Sequence, residues 1–311
     1  MPAVSVIMPA YEAAAYLRTA VESVLRQSFT DLELFIIDDG SSDRTLDVAQ
    51  SCAARDPRVR VLRQPHAGPG PARNYGFREA GGRFFAFLDS DDEWDDTFLA
   101  EHLAVLAARP DVDVVIGNAR NRGGTRDGFP ARLRRGDGLP ITLAEILADE
   151  TSLFIMAVFR REVVDAIGGF DPAIFTNEEY EMWIRAALAG FAFTRYTRPL
   201  GWYSHRPDSL SASETRMLRG ILRVLAKTRP VLAPDSPEVA ILEHQVVRFR
   251  AELAAAERKE RLQRFAAGRA LLHVRQVIRR AVFGAADSAD WGRAMDHRVA
   301  KVAPAIKKSL A

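Results

Sequence analysis

Along the first 117 residues, short and largely apolar runs alternate with stretches in which apolar residues return every three or four positions. The runs Val4–Met8, Leu32–Ile37, Val59–Leu62, Phe84–Leu88 and Val112–Ile116 predict strands, most of them apolar on both faces and therefore buried on both. Between them, Tyr16, Leu17, Ala20, Val21, Val24 and Leu25 repeat at helical spacing, and Ser42 or Asp43 is placed to open a second helix that runs to about Arg55. A third helix carries Arg73, Asn74 and Tyr75, with Pro71 suited to its first turn and Gly81-Gly82 as its stop, and a fourth spans Asp95 to Ala108. Strands and helices alternating at this pace predict right-handed βαβ units and a Rossmann-type, mostly parallel sheet flanked by helices, with the loops after the strands on one edge.

Beyond residue 117 the pattern loosens. Residues 119–140, with Gly123-Gly124, Arg132, Arg134, Arg135 and Gly136, read as a long loop able to close over a substrate. Phe154–Phe159 predicts a strand, Arg161–Ile167 and Glu178–Ala189 predict helices ended by glycines, and Thr194–Thr197 predicts the last strand. After Ser213 the pattern is helical alone, from about 214 to 229 and again from Glu238, with Pro230, Pro234 and Pro237 between. The expected division is 1–117, 118–212 and an all-helical C-terminal extension, 213–311.

Charge excludes some classes of partner. Lys and Arg total 43 against 41 acids, so the net +2 gives no reason to expect a nucleic acid. The distribution is uneven, however. Residues 251–311 hold 13 basic and 6 acidic side chains, a net +7, which leaves the rest of the chain acidic. In that segment Leu271, Val274, Val277, Ile278, Ala281 and Val282 share one helical side and Arg269, Arg275, Arg279 and Arg280 the other. Such a helix serves either to pack on protein, including a second copy of the chain, or to lie on an anionic membrane surface. The single cysteine, Cys52, offers no disulfide and no metal-ligand companion. The N-terminus enters a strand without a basic leader, and no run of apolar residues is long enough to cross a bilayer, so a cytoplasmic location is expected, with peripheral attachment to the inner membrane face as an option.

The chemistry gathers where Phe84–Leu88 ends in Asp89-Ser90-Asp91-Asp92. Ligands of open α/β sheets bind beyond the carboxyl ends of the strands, where carboxylates suit Mg²⁺ or Mn²⁺ completed by water and phosphate oxygens. The alternative is that these residues only cap the following helix. After the first strand stands Pro9-Ala10-Tyr11-Glu12-Ala13 in place of Gly-x-Gly-x-x-Gly, which argues against a dinucleotide cofactor. Asp38 and Asp39, at the tip of the second strand, can accept from a ribose or a base N–H, although Asp-Gly-Ser is also an ordinary turn.

Taken together, VSVIMPAYEAAAYLRTAVESVLRQSFTDLELFIIDDGSSDRT, GPGPARNYG and FLDSDDEW, in that order, resemble the nucleotide-binding half of the family-2 inverting glycosyltransferases of GT-A fold. Gly168–Asp171 (GGFD), Glu178–Ala187 (EEYEMWIRAA) and Arg206–Ser211 (RPDSLS) extend the resemblance to about two-thirds of the chain. It implies a GT-A-like sheet and a sugar-nucleotide donor, with UDP as the expected nucleotide. Pro9, Tyr11, Glu12 and Asp39 would then lie around the base, Arg73 near the nucleotide, and Asp89-Ser90-Asp91 would form the metal-binding D-x-D, with Asp91 as chief ligand and Mn²⁺ or Mg²⁺ as cofactor. The acceptor would be a saccharide or a lipid-linked saccharide in the synthesis of a cell-surface glycan.

Inverting transfer needs a base opposite the leaving diphosphate. The family places an acid in a Glu-Asp pair opening a helix, which points to Glu179, with Glu178 and Glu181 as alternatives. Here Glu replaces Asp, lengthening the reach by one methylene. The family more often has His where Arg206 stands. Arg206 suits a diphosphate, and His205, one place earlier, is either a displaced metal ligand or an ordinary loop residue. Trp183 and Trp202 would stack on an acceptor sugar or belong to the core. Two other readings compete: a sugar-nucleotide nucleotidyltransferase, which should carry a Gly-rich basic loop after the first strand, and a non-catalytic assembly module retaining the fold.

Overall fold

A computed structural model describes residues 1–131, 138–206 and 209–283, the backbone alone for Thr125 and for 266–283. In chain order its regular elements are β1 Val4–Ala10, α1 Leu17–Leu25, β2 Leu32–Asp38, α2 Thr45–Ala53, β3 Val59–Arg63, α3 Pro69–Glu79, β4 Phe84–Phe87, β5 Glu93–Trp94, α4 Phe98–Ala108 and β6 Val114–Arg122. There follow β7 Pro140–Ile141, α5 Leu143–Ala148, β8 Ala157–Arg160, α6 Arg161–Ile167, α7 Glu178–Leu188, β9 Phe193–Ser204, α8 Glu214–Thr228 and α9 Pro237–Phe283. Compact contacts divide the chain into 1–254, which holds the sheet, and 255–311.

The described strands form one sheet in the order β3-β2-β1-β4-β8-β6-β9-β5, with β7 on β9. β1 lies parallel to β2 and β4, with Val4 opposite Leu32 and Phe84, so the tips of β1, β2 and β4 end on the same edge. β8 is antiparallel to both its neighbours, β4 and β6, and β6 and β9 are again parallel. The sheet is therefore mostly parallel, and it runs without a break across residue 117. Its core is dense beneath that edge. Phe85 and Phe87 are fully buried, and Phe77 of α3, Phe159 of β8 and Trp183 of α7 pack around them. Gly76 lets α3 press on the sheet, since a Cβ there would come within 2.9 Å of Ile7.

Several expectations change. α4 begins at Phe98, not Asp95, because Glu93 and Trp94 pair with Trp202 and Gly201 as a short antiparallel strand. The acids at 89–92 are thus separated from α4 and do not cap it. Residues 119–140 are not one long loop: β6 continues to Arg122, a single turn spans Gly124–Arg126, and Pro130 bridges back to Arg120. Arg132, Arg134, Arg135 and Gly136 lie outside the described residues. β9 is 12 residues long where four were expected, since its bulged backbone pairs with β6, β7 and β5 in turn. The strand expected over Phe154–Phe159 starts only at Ala157, although Phe154–Met156 are buried. The helices after Ser213 are present, but the amphipathic side chains proposed over 269–282, and residues 284–311 entirely, fall outside what is described. Among the described residues no helix is long and apolar enough to cross a membrane.

Candidate active site

At the common edge of β1, β2 and β4 a cavity of about 530 Å³ opens. Pro9, Tyr11, Glu12, Asp39, Arg73, Asp89, Ser90, Asp91, Glu178, Glu179 and Arg206 all line it. Parallel register brings Pro9, Tyr11, Glu12, Asp39, Asp89, Ser90 and Asp91 together beyond the tips of β1, β2 and β4, while Arg73 comes from α3, Glu178 and Glu179 from α7, and Arg206 from just after β9. His205 is placed elsewhere. It lines a neighbouring cavity of about 270 Å³, and its Nε2 is 2.7 Å from Asn121 Oδ1.

Arg73 ties the two halves together. It is 2% exposed, donating from Nη1 to Glu178 Oε1 at 2.8 Å and from Nη2 to Asp89 Oδ1 at 2.6 Å, with its guanidinium over the rings of Phe87 and Phe170. Burial opposes its charge, but the two carboxylates outweigh that and raise its pKa, so it stays a cation. Next to it, Asn74 binds the backbone of Phe170 twice, accepting from its N–H and donating to its C=O at 2.8 Å each. Gly169, at φ +78°, accommodates this contact, because a Cβ there would lie 2.4 Å from Asn74 Oδ1. The ARN of α3 and the GGF after α6 are thus one device that sets where α7 begins.

α7 opens with three acids in the field of a helix N-terminus, and the structure separates their environments. Glu178 is buried and held by Arg73, yet burial still raises its pKa. Glu181 faces away from the cavity, accepting from Arg185 at 2.8 and 2.9 Å and from Lys227. Glu179 has no ion pair among the described residues and lines the cavity. Burial first, then the negative charge of Glu178, push its pKa up to about 7.

The strand tip carries the acids as a turn, with Asp92 N–H donating to Asp89 O at 3.1 Å. Asp91 lies 3.0 Å from Arg206 Nε, and Arg206 also covers the ring of Tyr16. Asp92 is 1% exposed, accepts from Ser204 N–H at 2.8 Å through Oδ1, and leaves Oδ2 without a hydrogen-bond partner. Burial, then the charges of Asp91 and Asp89, raise its pKa well above the carboxylate range. Asp89 and Asp91 offer hard oxygen donors at the cavity wall, whereas Asp92 lines the neighbouring cavity. This donor set fits Mg²⁺ or Mn²⁺. Among the described residues no three His, Cys, Asp or Glu form a complete cage, so a metal here would take its remaining ligands from phosphate and water.

The residues expected around the base line the cavity, and the two carboxylates among them have partners within the protein. Asp39 is 2% exposed, and its oxygens receive Gln64 Nε2, the N–H groups of Ala67 and Gly68, and His66 Nδ1. Glu12, at φ +48°, turns its carboxylate to the backbone and hydroxyl of Ser42. Trp183 is fully buried among Phe87, Phe159 and Phe193, a core residue, while Trp202 lies between the guanidinium groups of Arg120 and Arg122. Among the cavity residues passed over in the sequence are His66 and Phe175. His66 stacks on Tyr11 at 4.1 Å, and Phe175 presents its edge to His66. Only the position of His66 in a Gly-Pro loop after a strand gave any signal.

A Rossmann-type sheet with acids at the tip of β4 and at the start of α7 defines a GT-A fold. The glycosyl transferase family 2 profile matches residues 5–168, more than half of the chain, and the chain belongs to that family. An uncharacterized glycosyltransferase of Escherichia coli (strain K12) is 38% identical over 169 residues, 51% of this chain and 49% of its own length. A chondroitin synthase of Escherichia coli is 33% identical over 190 residues, 61% of this chain and 27% of its own. The chain thus spans about half or less of the length of these relatives. Among solved structures, S. aureus TarS 1-349 in complex with UDP-GlcNAc aligns with TM-score 0.64 at 21% identity, over 80% of this chain and 72% of that one. The mannosyltransferase PcManGT from Pyrobaculum calidifontis, in complex with GDP-Man and Mn²⁺, aligns with TM-score 0.63 at 20% identity, over 89% and 80%. These two likenesses are of fold.

Proposed function

We propose that the domain transfers a sugar, with inversion, from a nucleoside-diphosphate sugar to a hydroxyl of a saccharide or lipid-linked acceptor in the synthesis of a surface glycan. One observation carries this reading: Asp89 and Asp91 face the same cavity as Glu179, with Arg73 joined to Asp89 on one side and to Glu178 on the other. Glu179 takes the proton of the acceptor hydroxyl as that oxygen attacks the anomeric carbon. A base with a pKa of about 7 has the right strength, since it is largely ionised just above neutrality and still binds a proton well. The charge of Glu178 strengthens Glu179 as a base while Glu178 itself stays paired with Arg73, and Arg206 would meet the diphosphate. Asp91 and Asp89 would hold Mn²⁺ or Mg²⁺, which when bound offsets the charge developing on the departing diphosphate.

The nucleotide-sugar complexes of the two structural neighbours support the donor class, and the chondroitin synthase likeness supports a glycan product. The net +7 of residues 251–311 supports contact with an anionic membrane face, where a lipid-linked acceptor resides. Release of nucleoside diphosphate from a panel of donors, with and without Mn²⁺, tests the reaction. Asp91→Asn keeps the shape and removes the charge, so it should lose metal-dependent binding of the nucleotide; unchanged metal dependence and turnover would refute the assignment.

A further inference from the structure

The residue that opens a helix normally lies in the extended region and turns its side chain onto a backbone N–H of the first turn. Asn177, which opens α7, does neither. It stands at φ +59° and ψ +32°, a left-handed conformation strained for residues other than glycine, and its side chain makes no cap bond. The amide reaches to another helix instead. Nδ2 donates to the carbonyl of Met217 in α8 at 3.1 Å, and a carbonyl has two lone pairs, so it can accept this bond beside a helical one. Asn177 is buried at 8% exposure, and Thr176, Asn177, Glu178, Glu179 and Met217 all line the cavity. α8 comes this close because Gly220 has no side chain: a Cβ there would lie 2.3 Å from both Asn177 Nδ2 and Thr176 Oγ1. Glycine weakens a helix interior relative to alanine, so the close approach is kept at the expense of α8. Towards its other end α8 is held by Lys227, which pairs with Asp171. A strained residue persists only where its surroundings enforce it, and here the enforcing contacts come from α8.

Resting on the transferase reading above, we propose that Asn177 is a positioning residue for Glu179: its amide ties the start of α7 to α8 and so sets where the Glu179 carboxylate meets an acceptor hydroxyl. Glu179 follows two residues later, so releasing the tether lets the first turn of α7 shift, and a base displaced by about 1 Å loses on the order of a hundredfold in rate. Two variants reach the tether from opposite sides. Asn177→Gly keeps the left-handed backbone accessible and removes the amide. Gly220→Ala leaves Asn177 unchanged but places a methyl where its amide lies, although alanine by itself favours a helix. The test is single-turnover release of nucleoside diphosphate by the whole chain, from the donor that wild type turns over fastest, beside calorimetric binding of the matching nucleoside diphosphate in Mn²⁺. Both variants should lose about ten- to a hundredfold in rate while nucleotide affinity stays within about twofold. Asn177→Ala, which adds backbone strain to the same loss, should be slower than Asn177→Gly. A rate within about threefold of wild type in either variant, or rate and nucleotide affinity falling together in both, overturns the inference while leaving the transferase reading intact. A wild type that releases nucleoside diphosphate from no donor overturns both.

Discussion

Replacing Glu179 by Gln should silence the chemistry and stabilise the protein at the same time. The two effects have one cause. The native site raises the Glu179 pKa from 4.5 to about 7, chiefly by burial and then by the charge of Glu178. For an acid raised in this way the folded state binds the proton more tightly than the unfolded chain. Stability linked to Glu179 is therefore full below about pH 4.5 and is lost as pH rises to about 7. At about 1.4 kcal/mol per unit, the loss is at most about 3 kcal/mol, and less than that because Glu178 shares the repulsion. Gln carries no proton to lose. Its variant should match wild type near pH 4.5 and exceed it above pH 7 by up to several degrees of Tm. Transfer should fall by a factor on the order of a hundred to ten thousand, the usual worth of a general base, with donor binding retained. In wild type, kcat should climb with pH through about 7 as Glu179 ionises. Tm across the pH range and single-turnover transfer at about pH 8 read both arms. A Glu179→Gln enzyme within about tenfold of wild-type rate, or one with no pH-dependent gain in Tm, would refute the assignment.

Three further outcomes are expected. Arg73→Met leaves Glu178 buried without its cation and should cost about 3 to 5 kcal/mol of stability, measured by denaturant unfolding. Glu181→Gln loosens the contacts to Arg185 and Lys227 and should lower Tm while changing kcat by less than about twofold, because that carboxylate does not reach the cavity. The full chain should sediment with anionic vesicles at low salt and come off at high salt; no sedimentation would remove the membrane role of residues 251–311.

The parallel half was legible in the sequence because each of its elements is specified locally, by an apolar run followed by a helical repeat. The tip of β4 stood out for the same reason, as acids directly after Phe84–Leu88. Pairing order is not local. Nothing in Ala157–Arg160 says that it runs antiparallel between β4 and β6, and nothing in Glu93-Trp94 announces a strand whose partner is more than a hundred residues later. The same limit applies to side chains. Glu178, Glu179 and Glu181 are alike in sequence, and only Arg73, Arg185 and Lys227, brought from other turns and helices, assign them different surroundings. His66 escaped notice because its place in the cavity depends on its contacts with Asp39 and Tyr11, which are tertiary and not a matter of residue type.

The position of β8 also has a consequence for how the protein is made. β4 leaves the ribosome long before the strand that covers its open side, since Phe87 and Ala157 are separated by roughly seventy residues, and at bacterial and eukaryotic translation speeds that interval lasts on the order of ten seconds. During it the nascent chain can assemble β3-β2-β1-β4 with Phe84–Phe87 as an unpaired apolar edge, the kind of surface that recruits a neighbouring chain. Slowing synthesis between these two strands should therefore increase co-translational aggregation or chaperone capture, whereas an equal pause after Arg160 should not.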